Sequence, residues 1–184
     1  MPDFVIKYCQ LLSYFIFYFP RRILYKVSIT SPSNFWELKK GSLLVANHQS
    51  KLDPFIILSC FPFGLFLRLL PIRFPVMHSY MARPYLSKIL KVLGCYDIGK
   101  TSRENMIGFL YTRGLLKQGK TVFLFPEGKI SRDGNEVNNL KRGIEFFVKE
   151  SKNVIFARMK GFNEVKLPSF RAKCSITFSS VQDL

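Results

Sequence analysis

Two short apolar runs constrain this chain more than any other feature. Ser42-Leu-Leu-Val-Ala46 and Thr121-Val-Phe-Leu-Phe125 are uninterruptedly apolar after their first residue; the first is bounded by Gly41 before it and polar residues after it, and the second is followed by Pro126-Glu-Gly128. A run of that length without alternation reads as a strand buried on both faces, which is the habit of parallel sheets covered by helices. Cys95 to Ile98, Val154 to Met159 and Lys173 to Phe178 add further strands. Between them lie helical patterns. Asp53-Pro54 opens one through Phe55-Ile-Ile-Leu58, with Asp able to cap and Pro suited to the first turn. Ser87 to Leu93 ends at Gly94, and Glu104 to Lys117 ends at Gln118-Gly119 with Met106, Phe109, Leu110, Leu115 and Leu116 available for one face; Lys141 to Lys152 is another. Strands alternating with helices predict an α/β domain built on a largely parallel mixed sheet flanked by helices. Leu65 to Met77, broken by Pro71 and Pro75 and carrying Arg68 and Arg73, reads as strand mixed with membrane-facing loop.

The length, 184 residues, suits a single folded domain. At 48% hydrophobic residues the chain has far too much apolar surface to stay disordered. Against this stands a formal net charge of +16, which calls for an anionic partner. Nucleic acid would need aromatics interleaved with Lys/Arg and a reader motif, and the sequence has neither. Greasy and basic together favours an anionic bilayer, so membrane lipids are the expected partner. Cys9, Cys60, Cys95 and Cys174 are scattered without metal-ligand spacing, which argues against zinc or a disulfide framework and fits a reducing, cytosol-facing location.

The N-terminus carries an apolar run from Leu11 to Phe19 that Pro20-Arg21-Arg22 closes. It is too short to span a bilayer comfortably, and no small-residue cleavage site follows it. The expectation is a retained membrane-associated helical segment over residues 1–27, lying in or dipping into one leaflet with Arg21, Arg22 and Lys26 at headgroup level, and a catalytic domain over 28–184. The same length also suits an ordinary core helix.

Candidate chemistry sits where strands end. Asn47-His48-Gln-Ser-Lys-Leu-Asp53 follows the first buried run. A neutral imidazole is suited to take a proton from an alcohol, and a nearby carboxylate can fix its tautomer. Phe125-Pro-Glu127-Gly128-Lys129-Ile-Ser-Arg132 follows the second run, at the same sheet edge if the two strands are parallel. Lys100 and Arg103 place two cations in a third loop, where a merely solvated basic face is the alternative. His78 has no carboxylate at a useful spacing and reads as structural or interfacial.

Together the Asn47 to Asp53 and Phe125 to Arg132 blocks resemble those of the PlsC-type acyltransferases, the lysophosphatidate and glycerol-phosphate acyltransferase family, over about Gly41 to Gly161 and including Lys141-Arg-Gly143. The resemblance implies His48 as catalytic base with Asp53 orienting it, and Glu127 and Gly128 at the acceptor. It implies Lys100, where the family usually has Arg, at a phosphate, with Arg103, Lys129 and Arg132 sharing that charge. It implies transfer of a fatty acyl group from acyl-CoA or acyl carrier protein to a lysophospholipid such as 1-acylglycerol-3-phosphate, with no cofactor beyond the thioester co-substrate and no metal. Backbone N–H groups near Gly128 are the candidates for stabilising the oxyanion. Two departures leave alternatives open. Lys129-Ile130 replaces the family's usual Thr-Arg, removing a bidentate phosphate grip, and Phe156 stands where the last block usually has Pro. A catalytically silent lipid-binding protein on the same fold, or an acyltransferase for another lysolipid, would also fit.

Overall fold

The computed structural model describes residues 1–128, 144–162 and 172–180. A 22-residue helix, α1 (Asp3–Leu24), runs directly into strand β1 (Tyr25–Thr30), so a division at residue 27 falls inside a strand. After a 3-10 turn (Ser33–Glu37) come β2 (Ser42–Ala46), α2 (Asp53–Ser59), α3 (Phe63–Leu69), β3 (Ile72–Val76), α4 (His78–Met81), α5 (Pro84–Val92) and β4 (Cys95–Asp97). The chain continues through α6 (Ser102–Lys117), β5 (Thr121–Leu124), α7 (Ile144–Glu150), β6 (Asn153–Lys160) and β7 (Ala172–Ser180).

The strands form one seven-stranded sheet in the order β1-β7-β6-β2-β5-β3-β4. Among the described residues only β6 and β7 pair antiparallel and the other pairs are parallel, so the mixed, largely parallel sheet is as expected. β2 is central because both of its faces are apolar. Leu44 and Ala46 pack with α1, α2 and α3 on one side, while Leu43 and Val45 pack with Leu115 and Leu116 of α6 and Ile144 of α7 on the other. β5 repeats the pattern with Phe123 on the first side and Val122 and Leu124 on the second. This two-residue period decides which side each residue beyond the strand ends will face.

Three expectations change. The stretch from Leu65 begins not as loop but as the end of α3, with Leu65, Phe66 and Leu69 in the core, before β3 takes over. α6 does not bury Met106 or Leu110. Its inner face is Gly108, Thr112, Leu115 and Leu116, because a β-carbon on Gly108 would lie 2.8 Å from the Ile98 backbone and only a hydrogen fits there. α1 is longer than the apolar run and contains Pro20 rather than ending at it. Its Ile6, Gln10 and Tyr14 enter the core, with the Tyr14 hydroxyl donating to Phe61 O at 2.8 Å. Its other face exposes Phe4, Tyr8, Leu12, Phe15, Ile16, Phe19 and Ile23. Among the described residues no helix is long and apolar enough to cross a membrane.

Candidate active site

β2 and β5 are neighbours in parallel register, with Val45 opposite Leu124, so both conserve their direction and deliver their terminal loops to one sheet edge. The loop after β2 is held by alternate side chains. Asn47 exchanges two hydrogen bonds with the backbone of Met159 in β6, donating to its carbonyl at 3.0 Å and accepting from its N–H at 2.7 Å. Gln49 accepts from Phe162 N–H at 3.3 Å. Both flank His48 and are buried. Pinning them toward β6 leaves the imidazole on the opposite side, above Ala46, where it stacks on Phe125 at 4.1 Å between ring centroids and 18° between planes.

Asp53, fully buried at 0% exposure, is the hub of this loop. Its Oδ2 lies 2.9 Å from His48 Nδ1 and accepts from the N–H groups of Gln49 at 2.5 Å and Ser50 at 2.7 Å. Its Oδ1 accepts from Ser50 Oγ at 2.7 Å. So many donors converging on one carboxylate fix its position. An ionised carboxylate only accepts, so the proton of a neutral His48 belongs on Nδ1 and the Nε2 lone pair is left available. The His48 side chain is 19% exposed, shielded enough to be ordered and open enough to be reached.

Phe125 to Gly128 form a turn in which Gly128 N–H donates to Phe125 O at 3.1 Å. Pro126 at the second position and Gly128 at the fourth, with a left-handed φ of 63°, suit that turn. That N–H is therefore already engaged, and as it stands it is not a spare donor for an oxyanion. Glu127 lies in the same turn. Lys129 and Arg132 lie outside the described residues.

His48 opens onto a cavity of about 230 Å³. Phe74, Val76, Met77, Leu90, Leu93 and Cys95 form much of its apolar wall, and Gln10 and Ser13 of α1 close part of it. Gln10 donates to Ile72 O at 2.6 Å and Leu93 O at 2.8 Å and accepts from Ile72 N–H at 3.0 Å, so it braces the wall rather than offering free polarity. Burial pushes the Cys95 thiol up to about 12, which keeps it protonated and non-nucleophilic near neutral pH.

Lys100 and Arg103 reach the same sheet edge, because β3 runs parallel to both β5 and β4. The strand they follow, β4, is nevertheless three steps along the sheet from β2, and neither residue lines the cavity. Their loop is tightly tied. Glu104 accepts from the N–H groups of Lys100 and Thr101 at 2.8 and 2.9 Å, and these bonds hold its carboxyl below the usual range. His78 does have a carboxylate partner, contrary to the sequence reading: β4 brings Asp97 Oδ2 to 2.8 Å from its Nδ1. The sequence reading also passed over Asn47 and Gln49, whose signal was their place on either side of His48, and Gln10, a lone amide in an apolar run. Among the described residues no group of three or more His, Cys, Asp or Glu could hold a metal ion.

A parallel-rich α/β sheet with a His–Asp pair and a Phe-Pro-Glu-Gly turn at one edge defines a class, and comparison with known proteins agrees. The Acyltransferase family model matches residues 26–159, and the chain belongs to that family. It is 34% identical over 104 residues to a probable 1-acyl-sn-glycerol-3-phosphate acyltransferase of Mycoplasma pneumoniae, a match covering 56% of this chain and 37% of the relative. It is 23% identical over 133 residues to the 1-acyl-sn-glycerol-3-phosphate acyltransferase of Borreliella burgdorferi, covering 71% of this chain and 49% of that one. The chain thus spans between about a third and a half of the length of these curated relatives. The crystal structure of PlsC from Thermotoga maritima, a 1-acyl-sn-glycerophosphate acyltransferase, superposes with a TM-score of 0.62 at 18% identity, covering 95% of this chain and 66% of that chain, a likeness of fold.

Proposed function

We propose that the chain is an O-acyltransferase that moves a fatty acyl group from a thioester to the free hydroxyl of 1-acylglycerol-3-phosphate, in phospholipid biosynthesis. The observation that carries this reading is the oriented His48–Asp53 pair opening onto an apolar cavity. His48 Nε2 takes the hydroxyl proton as the acceptor oxygen attacks the thioester carbonyl. Asp53 holds the Nδ1 proton and stabilises the imidazolium. The tetrahedral intermediate collapses with expulsion of the thiolate, which recovers the proton from His48, leaving an ester and a free thiol. No covalent enzyme intermediate is needed. The apolar cavity takes the acyl chain, and the protonated Cys95 in its wall does not compete for the acyl group.

Acyl-CoA or acyl carrier protein supplies the thioester. Lys100 and Arg103, with Lys129 and Arg132, supply positive potential around the acceptor, and Glu127 and Gly128 shape its site. The chain works at the cytoplasmic face of a membrane, with the exposed apolar stripe of α1 in one leaflet and Arg21, Arg22 and Lys26 at headgroup level. Four free cysteines support the reducing side. The test is acceptor-dependent thiol release from acyl-CoA or acyl carrier protein with a panel of lysolipids; release that ignores the acceptor would refute the reading.

A further inference from the structure

One basic residue stands apart from those the motifs single out. Among the described residues that line the cavity beside His48, Lys51 alone carries a full positive charge. It sits within the His48 to Asp53 loop itself, on the turn that Asp53 N–H closes onto Ser50 O at 3.2 Å. Ser50 is bound to both oxygens of Asp53 through its N–H and hydroxyl, and Leu52 N–H donates to Ser50 Oγ at 3.2 Å. The backbone of Lys51 is thereby fixed relative to the imidazole, while its side chain is exposed and has no hydrogen-bond or ion-pair partner among the described residues.

The other cations are differently placed. Arg73 and Lys120 share Asp3, and Arg113 and Lys117 share Glu150. Lys100 and Arg103 follow β4, three strands along the sheet from β2, and neither lines the cavity. Ile130 stands in the sequence where the resembled family usually has Arg.

We infer that Lys51 binds the phosphate monoester of the acceptor and sets the preference for an anionic lysolipid. The inference rests on the acyltransferase reading above and deepens it. In 1-acylglycerol-3-phosphate the phosphate ester is on the carbon next to the one bearing the reacting hydroxyl. Once that hydroxyl meets His48, the phosphate must lie within a few bonds of it. A flexible four-carbon stem anchored on the same loop reaches such a group, and an ammonium serves a dianionic phosphate as a point charge. The cation and the base then move as one unit, so the loop that removes the proton also measures the distance to the phosphate. A donor carrying its own phosphate offers the same chemistry from the thioester side, and separate Michaelis constants tell the two apart.

The experiment compares purified wild type, Lys51→Gln, Lys51→Arg and, as a control for net charge, Lys149→Gln on the outer face of α7. Each is assayed in mixed micelles with 1-acylglycerol-3-phosphate or its zwitterionic phosphocholine counterpart at saturating thioester, and then with the thioester varied. Loss of the charge-assisted contact predicts that Lys51→Gln raises the KM for the phosphate monoester about 10- to 100-fold. The donor's KM and kcat stay within about threefold of wild type, the zwitterionic acceptor is little affected, and Lys51→Arg restores most of the affinity. An unchanged acceptor KM in an active Lys51→Gln protein overturns the assignment alone, as does an increase confined to the donor or an equal increase in Lys149→Gln. Wild type that acylates no lysolipid overturns the functional reading, and this assignment with it.

Discussion

His48 is defined less by its own chemistry than by the residues on either side. Asn47 is committed to β6 and Gln49 to Phe162 just beyond it, Phe125 supplies a flat apolar platform, and Asp53 fixes Nδ1. Asp53→Asn separates position from charge. The amide oxygen can keep the backbone N–H bonds, and its NH₂ can meet Ser50 Oγ, so the loop has the means to persist. What is lost is the negative charge that balances an imidazolium. We predict a fall in kcat of about 10²–10⁴-fold. The thermal midpoint should move by only a few degrees, which a melting curve recorded on the same preparation checks. A variant that keeps wild-type turnover would remove Asp53 from the mechanism.

At the scale of elements, α1 does two things at once. It closes the cavity through Gln10 and Ser13, and it presents an apolar face outward. Its first turn is fastened by Asp3, which pairs with Arg73 of β3 and with Lys120 just before β5. The Lys120 hydrogen bond, aided by the charges of Lys120 and Arg73, holds the Asp3 carboxyl below its ordinary range. A folded-state pKa below the unfolded one means that the stabilisation is fully present above the unfolded value and disappears as pH falls through the folded one. Wild type should therefore lose thermal stability on acidification more steeply than Asp3→Asn, the two curves converging at the acid end. Parallel curves would show that the fastening contributes nothing.

The two faces of α1 also show where sequence reasoning stops. β2 and β5 could be read because an uninterrupted apolar run bounded by polar residues has few other solutions. In α1 aromatic and aliphatic residues occur almost all the way round, so periodicity does not say which side meets protein and which does not. α6 misled for a related reason: Met106 and Leu110 are apolar, yet the close approach of Ile98 selects the face with Gly108. The spacing of His48 and Asp53 is by itself a weak signal, because such short patterns recur freely, and the pair became legible only beside the Phe125 to Arg132 block. Lys51 was in view inside the same block, but only the folded cavity sets it apart from 27 other basic residues among the 28 Lys and Arg.

Across the whole molecule, an exposed apolar stripe and a large positive charge occur together. The α1 stripe lies on the side of the sheet opposite α6 and α7, and the chain as a whole carries a formal net charge of +16. We predict association with anionic vesicles that weakens as salt rises, since screening acts on the charges and leaves apolar insertion in place. Leu12→Ser combined with Ile16→Ser should reduce that association by about an order of magnitude or more, judged by the area removed, without lowering the melting temperature, because both side chains are exposed. Flotation of vesicles with and without anionic lipid measures it, and unchanged flotation would take the α1 stripe out of the membrane contact. Deleting α1 would be a poorer test, since Gln10 and Tyr14 would leave the core with it.

The central claim is that this edge of the sheet transfers acyl groups, and thiol release tests it most directly. Purified wild type and His48→Ala are incubated with acyl-CoA, and separately with acyl-acyl carrier protein, with and without 1-acylglycerol-3-phosphate. The account predicts release by wild type with at least one donor only when the acceptor is present, one diacyl product per thiol, and a rate about 10²–10⁴-fold lower in a folded His48→Ala protein. Release by wild type that does not depend on the acceptor, no release with either donor, or full activity in His48→Ala would contradict it.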